Sequence, residues 1–105
     1  MLRVFDVCVA MVAAVRGQAE AVGKFDRDLA RQIRRASCSV PLNVAEGSGV
    51  RGGNRRLRYE TALGSARETR AGLQVAVAAG YLPSLDTELD DQLDRIIATL
   101  FKLVS

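Results

Sequence analysis

Arg51, Arg55, Arg56 and Arg58 fall within eight residues of a stretch that also holds Gly49, Gly52 and Gly53. Guanidinium groups keep their charge at any working pH and match phosphate oxygens in pairs. If the glycines form a turn and a helix opens after it, the free N–H groups of its first turn add anion-binding donors. The chemistry on offer is polyanion binding. Arg3 and Lys102 join the cluster if the chain folds as an antiparallel bundle that brings both to the same end. No aromatic residue apart from Tyr59 accompanies these arginines, so the contacts would be to phosphates and not to stacked bases. An ordinary solvated charged end would use the same residues.

A second group is polar and regularly spaced. Arg35, Ser39 and Glu46 stand at i, i+4 and i+11, with Asn43 beside them, and Ser65 and Glu68 sit on a line of small residues further on. These six read as a structural polar network between two helices, with Arg35 and a carboxylate as a register-fixing pair. A buried pair would make loss of Arg35 or Glu68 cost about 3–5 kcal/mol, because one charge is stranded. A ligand site is the competing reading.

The absences narrow the chemistry. The chain has 105 residues and no histidine, which removes the usual general base and the Ser-His and Cys-His nucleophile pairs. Two cysteines, Cys8 and Cys38, are too few for a structural zinc site; they are expected as buried free thiols, although a hairpin turning near Lys24 would set them at similar heights and permit a disulfide. No enzyme activity, metal or cofactor is expected. Gly47-Ser48-Gly49-Val50-Arg51-Gly52 spells G-x-G-x-x-G, but a dinucleotide fingerprint needs a strand before it and a helix opening within it. Here the match begins where a helix ends. Net charge is +3 and unevenly spread: residues 24–58 carry nine basic and three acidic side chains, and residues 81–105 two basic and five acidic.

The elements that must position these groups are helical. Half of the residues are hydrophobic, mostly Ala, Val and Leu, with few aromatics and two prolines, a composition suited to packed helices. Apolar spacing predicts helices over about 4–22, 27–49, 55–79 and 85–104. Asp26 and Asn54 read as N-caps, Gly80 as a C-terminal stop, and Pro41 as a kink in a helix that continues. Short connections between such helices predict an all-α, antiparallel, up-down-up-down four-helix bundle forming a single domain over residues 1–105. The longest apolar run, Val7–Val15, is nine residues where a membrane span needs about 20, so no membrane association is expected, and no secretory signal is read at the start.

The first helix carries two apolar lines. Phe5, Val9, Val12, Ala19 and Val22 read as its core face, which leaves Val4, Val7 and Met11 as surplus. Ile97, Phe101 and Val104 form a surplus line on the last helix. Contiguous apolar surface of this kind marks an interface between copies, so a homo-oligomer is expected.

Several blocks of the sequence resemble a known family: Gln32-Ile33-Arg34-Arg35-Ala36, Ser39-Val40-Pro41-Leu42-Asn43-Val44-Ala45-Glu46-Gly47, Ala62-Leu63-Gly64-Ser65-Ala66-Arg67-Glu68 and Ala79-Gly80-Tyr81-Leu82. Their order and spacing are similar to those of the bacterial four-helix-bundle proteins encoded in intervening sequences of 23S ribosomal RNA genes. The cytoplasm is expected separately, from the lack of a secretory signal, whereas the resemblance implies a homopentameric ring. It also implies kinship with the accessory protein of diversity-generating retroelements, which binds nucleic acid and a reverse transcriptase. Two functions follow as expectations. One is an accessory protein that binds RNA or DNA phosphates through the arginine-rich end; the other is a scaffold that binds only protein.

Overall fold

The computed structural model describes residues 2–105. Four helices follow one another, α1 (Arg3–Gly23), α2 (Arg27–Ser48), α3 (Gly52–Ala78) and α4 (Thr87–Val104), with no strand among the described residues. α1 packs against α2 and α4, and α3 packs against the same two, so the four close a ring around one core. The body measures 42 × 23 × 20 Å. A helix of 27 residues is about 40 Å long, so α3 spans the full long axis. Ser39 meets Ser65, Glu46 meets Arg58 and Ile33 lies beside Gly72. Rising positions on α2 thus meet falling positions on α3, and this pair runs in opposite directions.

The helix ends show why the chain turns where it does. Asp26 accepts a hydrogen bond from the Leu29 N–H at 2.9 Å, and Asp86 one from the Leu89 N–H at 3.0 Å; each satisfies a donor that the first turn leaves free. The Asp86 cap starts α4 at Thr87, two residues after the expected Leu85. Gly80 has φ +82°, its N–H reaching Val77 O at 3.0 Å while the Tyr81 N–H reaches Ala76 O at 2.8 Å. This is the paired closure that a left-handed residue gives a helix end. α3 begins at Gly52, not after Asn54. Gly52 sits at φ +62°, which a residue without Cβ adopts freely, so the helix starts immediately after Arg51 and Asn54 lies inside it. α2 continues through the buried Pro41 without a break.

Apolar spacing points to Tyr59, Ala62, Leu63, Ala66, Leu73 and Ala76 on α3 and to Leu85, Leu89, Leu93, Ile96, Leu100 and Leu103 on α4. All but the two ends of the α4 line are buried: Leu85 is half-buried and Leu103 is exposed. Gly72 earns its place in α3: a Cβ there would lie 2.7 Å from Ile33 Cγ1. Gly64, the other glycine inside α3 beyond its first turn, faces open space.

α1 is rotated from its expected face. Val4, Cys8, Met11, Val15, Ala19 and Val22 are buried, whereas Phe5 and Val12 are half-buried and Val9 is 48% exposed. Its first three turns are apolar nearly all round, so periodicity cannot choose a face, and packing against both α2 and α4 does. Val4 and Met11 therefore belong to the protomer's own core and are not free for an interface. Val7, Ile97 and Val104 are half-buried against that core, and only Phe101 of the six expected interface residues is well exposed. Cys8 is buried as expected, but Cys38 is exposed, and both are free. No helix is long and apolar enough to cross a membrane among the described residues.

Candidate nucleic-acid interface

Residues 51–58 are exposed throughout, but three of their four arginines are already occupied. Arg55 Nε donates to Val50 O at 2.8 Å and to Gly47 O at 3.2 Å. It adds a side-chain donor to the carbonyls around the end of α2, where Gly47 O also accepts the Val50 N–H at 3.4 Å. Arg56 Nε lies 3.0 Å from Glu60 Oε1, and Arg58 Nη1 lies 2.9 Å from Glu46 Oε2. Arg51 and Arg3 have no carboxylate within 4.0 Å among the described residues. Leu2 shares a cleft with Ser48, Arg55 and Tyr59, which brings the start of α1, and with it Arg3, to the expected end. Lys102 is exposed in the last turn of α4.

The polar line is partly formed. Ser65 Oγ donates to Ser39 Oγ at 2.8 Å, and Asn43 Nδ2 donates to Ser39 O and Oγ at 2.9 and 3.0 Å. These three side chains stitch α2 to α3, while Glu46 leaves the line to pair with Arg58. Arg35 and Glu68 are both exposed and do not pair within 4.0 Å. The expected buried ion pair is absent because both residues sit at the rim of a polar cleft between α2 and α3, about 280 Å³ in volume, where water solvates them. An interhelical ion pair missed from the sequence joins α3 to α4 instead: Arg70 meets Asp94, and lies 3.7 Å from Asp90.

The strongest basic feature lies elsewhere, on the first half of α2. Lys24, Arg27, Arg31, Arg34 and Arg35 line an open groove of about 650 Å³ between α1 and α2, with Glu20 across from them. Positions 27, 31 and 34 form one stripe at i, i+4 and i+7, roughly 10 Å from first to last. All five cations are exposed, and none has a carboxylate within 4.0 Å among the described residues. Glu20 turns instead to Arg16, 4.0 Å away on its own helix. Folding gains no ion pair from these five cations among the described residues. Like charges at i, i+3 or i, i+4, as in 27/31, 31/34 and 31/35, each cost about 0.2–0.5 kcal/mol. Arg27 and Arg31 also sit near the positive end of the helix dipole. The sequence did hold the signal, since five of the nine basic residues between 24 and 58 fall at 24–35, but it does not say which arginines find partners across helices.

Beside this groove is an apolar depression of about 240 Å³ lined by Val9, Val12, Cys38, Pro41 and Leu42. Leu42 is 64% exposed. Among the described residues the one strongly shifted group is Cys8, whose thiol is pushed up to about 12 by burial and is closed to solvent. No cluster of three or more His, Cys, Asp or Glu that could hold a metal ion exists among the described residues.

The family model for the 23S rRNA-intervening sequence protein matches residues 2–102, all four helices nearly entire. The chain belongs to the 23S rRNA-intervening sequence protein family. No curated protein matches it. Among solved structures, it is similar to the crystal structure of a protein with unknown function from the S23 ribosomal protein family of Bacteroides thetaiotaomicron. That likeness has a TM-score of 0.82 at 16% identity and covers 97% of this chain and 98% of the other. At that identity the likeness carries the fold alone.

Proposed function

We propose that this chain is a non-catalytic, homo-oligomeric, up-down-up-down bundle that associates with nucleic acid through its phosphates and works in the cytoplasm. The observation that carries the reading is the α1–α2 groove, where five exposed cations stand without carboxylate partners. Such a surface attracts a polyanion regardless of sequence, since each neutralised phosphate releases condensed counterions. The arginine-rich end at residues 51–58 is the weaker contributor, because its charges are partly spent within the protomer. Two separate apolar surfaces support assembly: the depression around Val9 and Leu42, and Phe101 on α4. A ring needs two different patches on each copy, and five copies is the number that the family resemblance implies. A reverse transcriptase is the protein partner that the same resemblance suggests.

Binding of mixed-sequence RNA and DNA across a salt series tests the reading. At about 50 mM salt both should bind, and affinity should fall steeply and equally for both as salt rises. An unmodified protein that binds neither would favour a scaffold for protein partners. Light scattering should return a multiple of the 11.3 kDa chain mass; a mass of one chain at micromolar concentration would remove the oligomer.

A further inference from the structure

The basic groove ends at the turn between α1 and α2, where Lys24, one of its lining residues, is followed by Phe25. The Phe25 ring is 65% exposed. It stacks on Tyr81 with ring centroids 5.4 Å apart and planes 10° from parallel. Tyr81 comes from the segment after α3, half-buried against the core and held by its N–H bond to Ala76 O. The stack is therefore anchored from below, while most of the Phe25 ring stays in water. A large aromatic side chain left in solvent forgoes about 1.5–3 kcal/mol of burial. One residue beyond the groove's lining, the exposed Phe25 supplies the second of the residue types that a strand-tracking surface uses: cations for the backbone, then an open aromatic face.

We infer that the groove takes single-stranded nucleic acid, with Arg27, Arg31 and Arg34 on consecutive phosphates and a base stacked on Phe25. The inference rests on the phosphate-binding reading above and adds the class of strand. Every base has a π-face, so the platform is tolerant of sequence, and a base inside a duplex is already stacked and cannot reach it. A duplex would present phosphates to the arginines but leave the ring unused. A backbone held by three arginines along roughly 10 Å of helix engages only a few nucleotides of one strand, which suits a short single-stranded segment.

The test uses the full-length protein, a mixed-sequence RNA single strand, its DNA counterpart, and the duplex made by annealing the complement. The single strands should bind more tightly than the duplex at equal salt. Phe25→Leu, which keeps an apolar side chain at the turn, should weaken single-strand binding roughly five- to a hundredfold. It should leave duplex binding and the slope of affinity against salt unchanged. If single strand and duplex bind alike and Phe25→Leu changes neither, the single-strand inference is overturned while salt-dependent phosphate binding stands. If the unmodified protein binds neither form at low salt, both fall together. Should Phe25→Leu reduce the helical signal, the preference of the unmodified protein for single strand over duplex decides the matter.

Discussion

The two halves of α2 carry similar charge at their borders and use it in opposite ways. Along the C-terminal half, charged and polar groups are tied into the fold. Arg55 holds the carbonyls of Gly47 and Val50, Arg58 holds Glu46, and Ser39 is bonded to both Ser65 and Asn43. Along the N-terminal half, Arg27, Arg31, Arg34 and Arg35 are exposed and unpaired around an open groove. The difference separates a charge that exists from a charge that is available. A guanidinium already donating to carbonyls or carboxylates has fewer donors for an incoming phosphate, and its partner carboxylate repels that phosphate as well. Changes in the C-terminal half should therefore cost stability, and changes in the N-terminal half should cost binding.

The largest stability effect is expected at Gly47, which lies against the buried Tyr59 ring, so that an added Cβ would meet Tyr59 Cδ1 at 2.7 Å. Gly47→Ala should destabilise the fold by about 1–3 kcal/mol in denaturant titration. Gly17, a helical glycine with nothing within 4 Å of an added Cβ, is its control: Gly17→Ala should stabilise by about 0.5–1 kcal/mol. Equal effects at the two sites would mean that α2 and α3 do not approach as closely as Gly47 and Tyr59 indicate.

Arg55→Ala comes next, with an expected loss of about 1 kcal/mol as the end of α2 gives up its side-chain donor. Its effect on nucleic-acid affinity should be no more than a few-fold. A mutant with unchanged stability and lost binding would move the interface to the arginine-rich end. The smallest changes are expected at the rim of the polar cleft. Arg35→Ala and Glu68→Ala should each shift stability by less than about 1 kcal/mol, since both side chains are solvated and unpaired. A loss of 3 kcal/mol or more in either would restore the buried pair that the spacing suggests.

How legible the chain is from sequence depends on how much contrast each segment holds. α4 alternates leucines and isoleucines with charged residues, so its buried face, Leu89-Leu93-Ile96-Leu100, can be read directly. α1 offers Val4, Phe5, Val7, Cys8, Val9, Met11 and Val12 in nine positions, and its face is set by its two neighbours, which lie far away in the sequence. The caps divide in the same way. Asp26 can be read because its side chain acts on its own helix, whereas the start of α3 depends on whether Gly52 adopts a left-handed conformation, which permissive sequence leaves open. The basic groove needed one further fact. Sequence counts arginines, but Glu46 reaches Arg58 and the end of α2 reaches Arg55 only once α2 and α3 are packed. The stacking of Phe25 on Tyr81, 56 residues apart, has no local signal at all.

If phosphate binding belongs to the α1–α2 groove and not to the arginine-rich end, charge reversal will separate the two sites. Two charge-reversed proteins test it side by side: Arg27→Glu/Arg31→Glu in the groove, and Arg55→Glu/Arg56→Glu at the end. Arg34 is left intact because it also lines apolar surface next to Val12 and Cys38. Affinity for a mixed-sequence single strand would be measured from about 50 to 200 mM salt, a range over which several phosphate contacts change affinity by orders of magnitude. The groove variant should lose binding and its salt dependence while helical signal and oligomer mass are kept, and the end variant should retain binding and salt dependence to within a few-fold. Loss of binding in the end variant with normal binding in the groove variant would contradict the groove assignment.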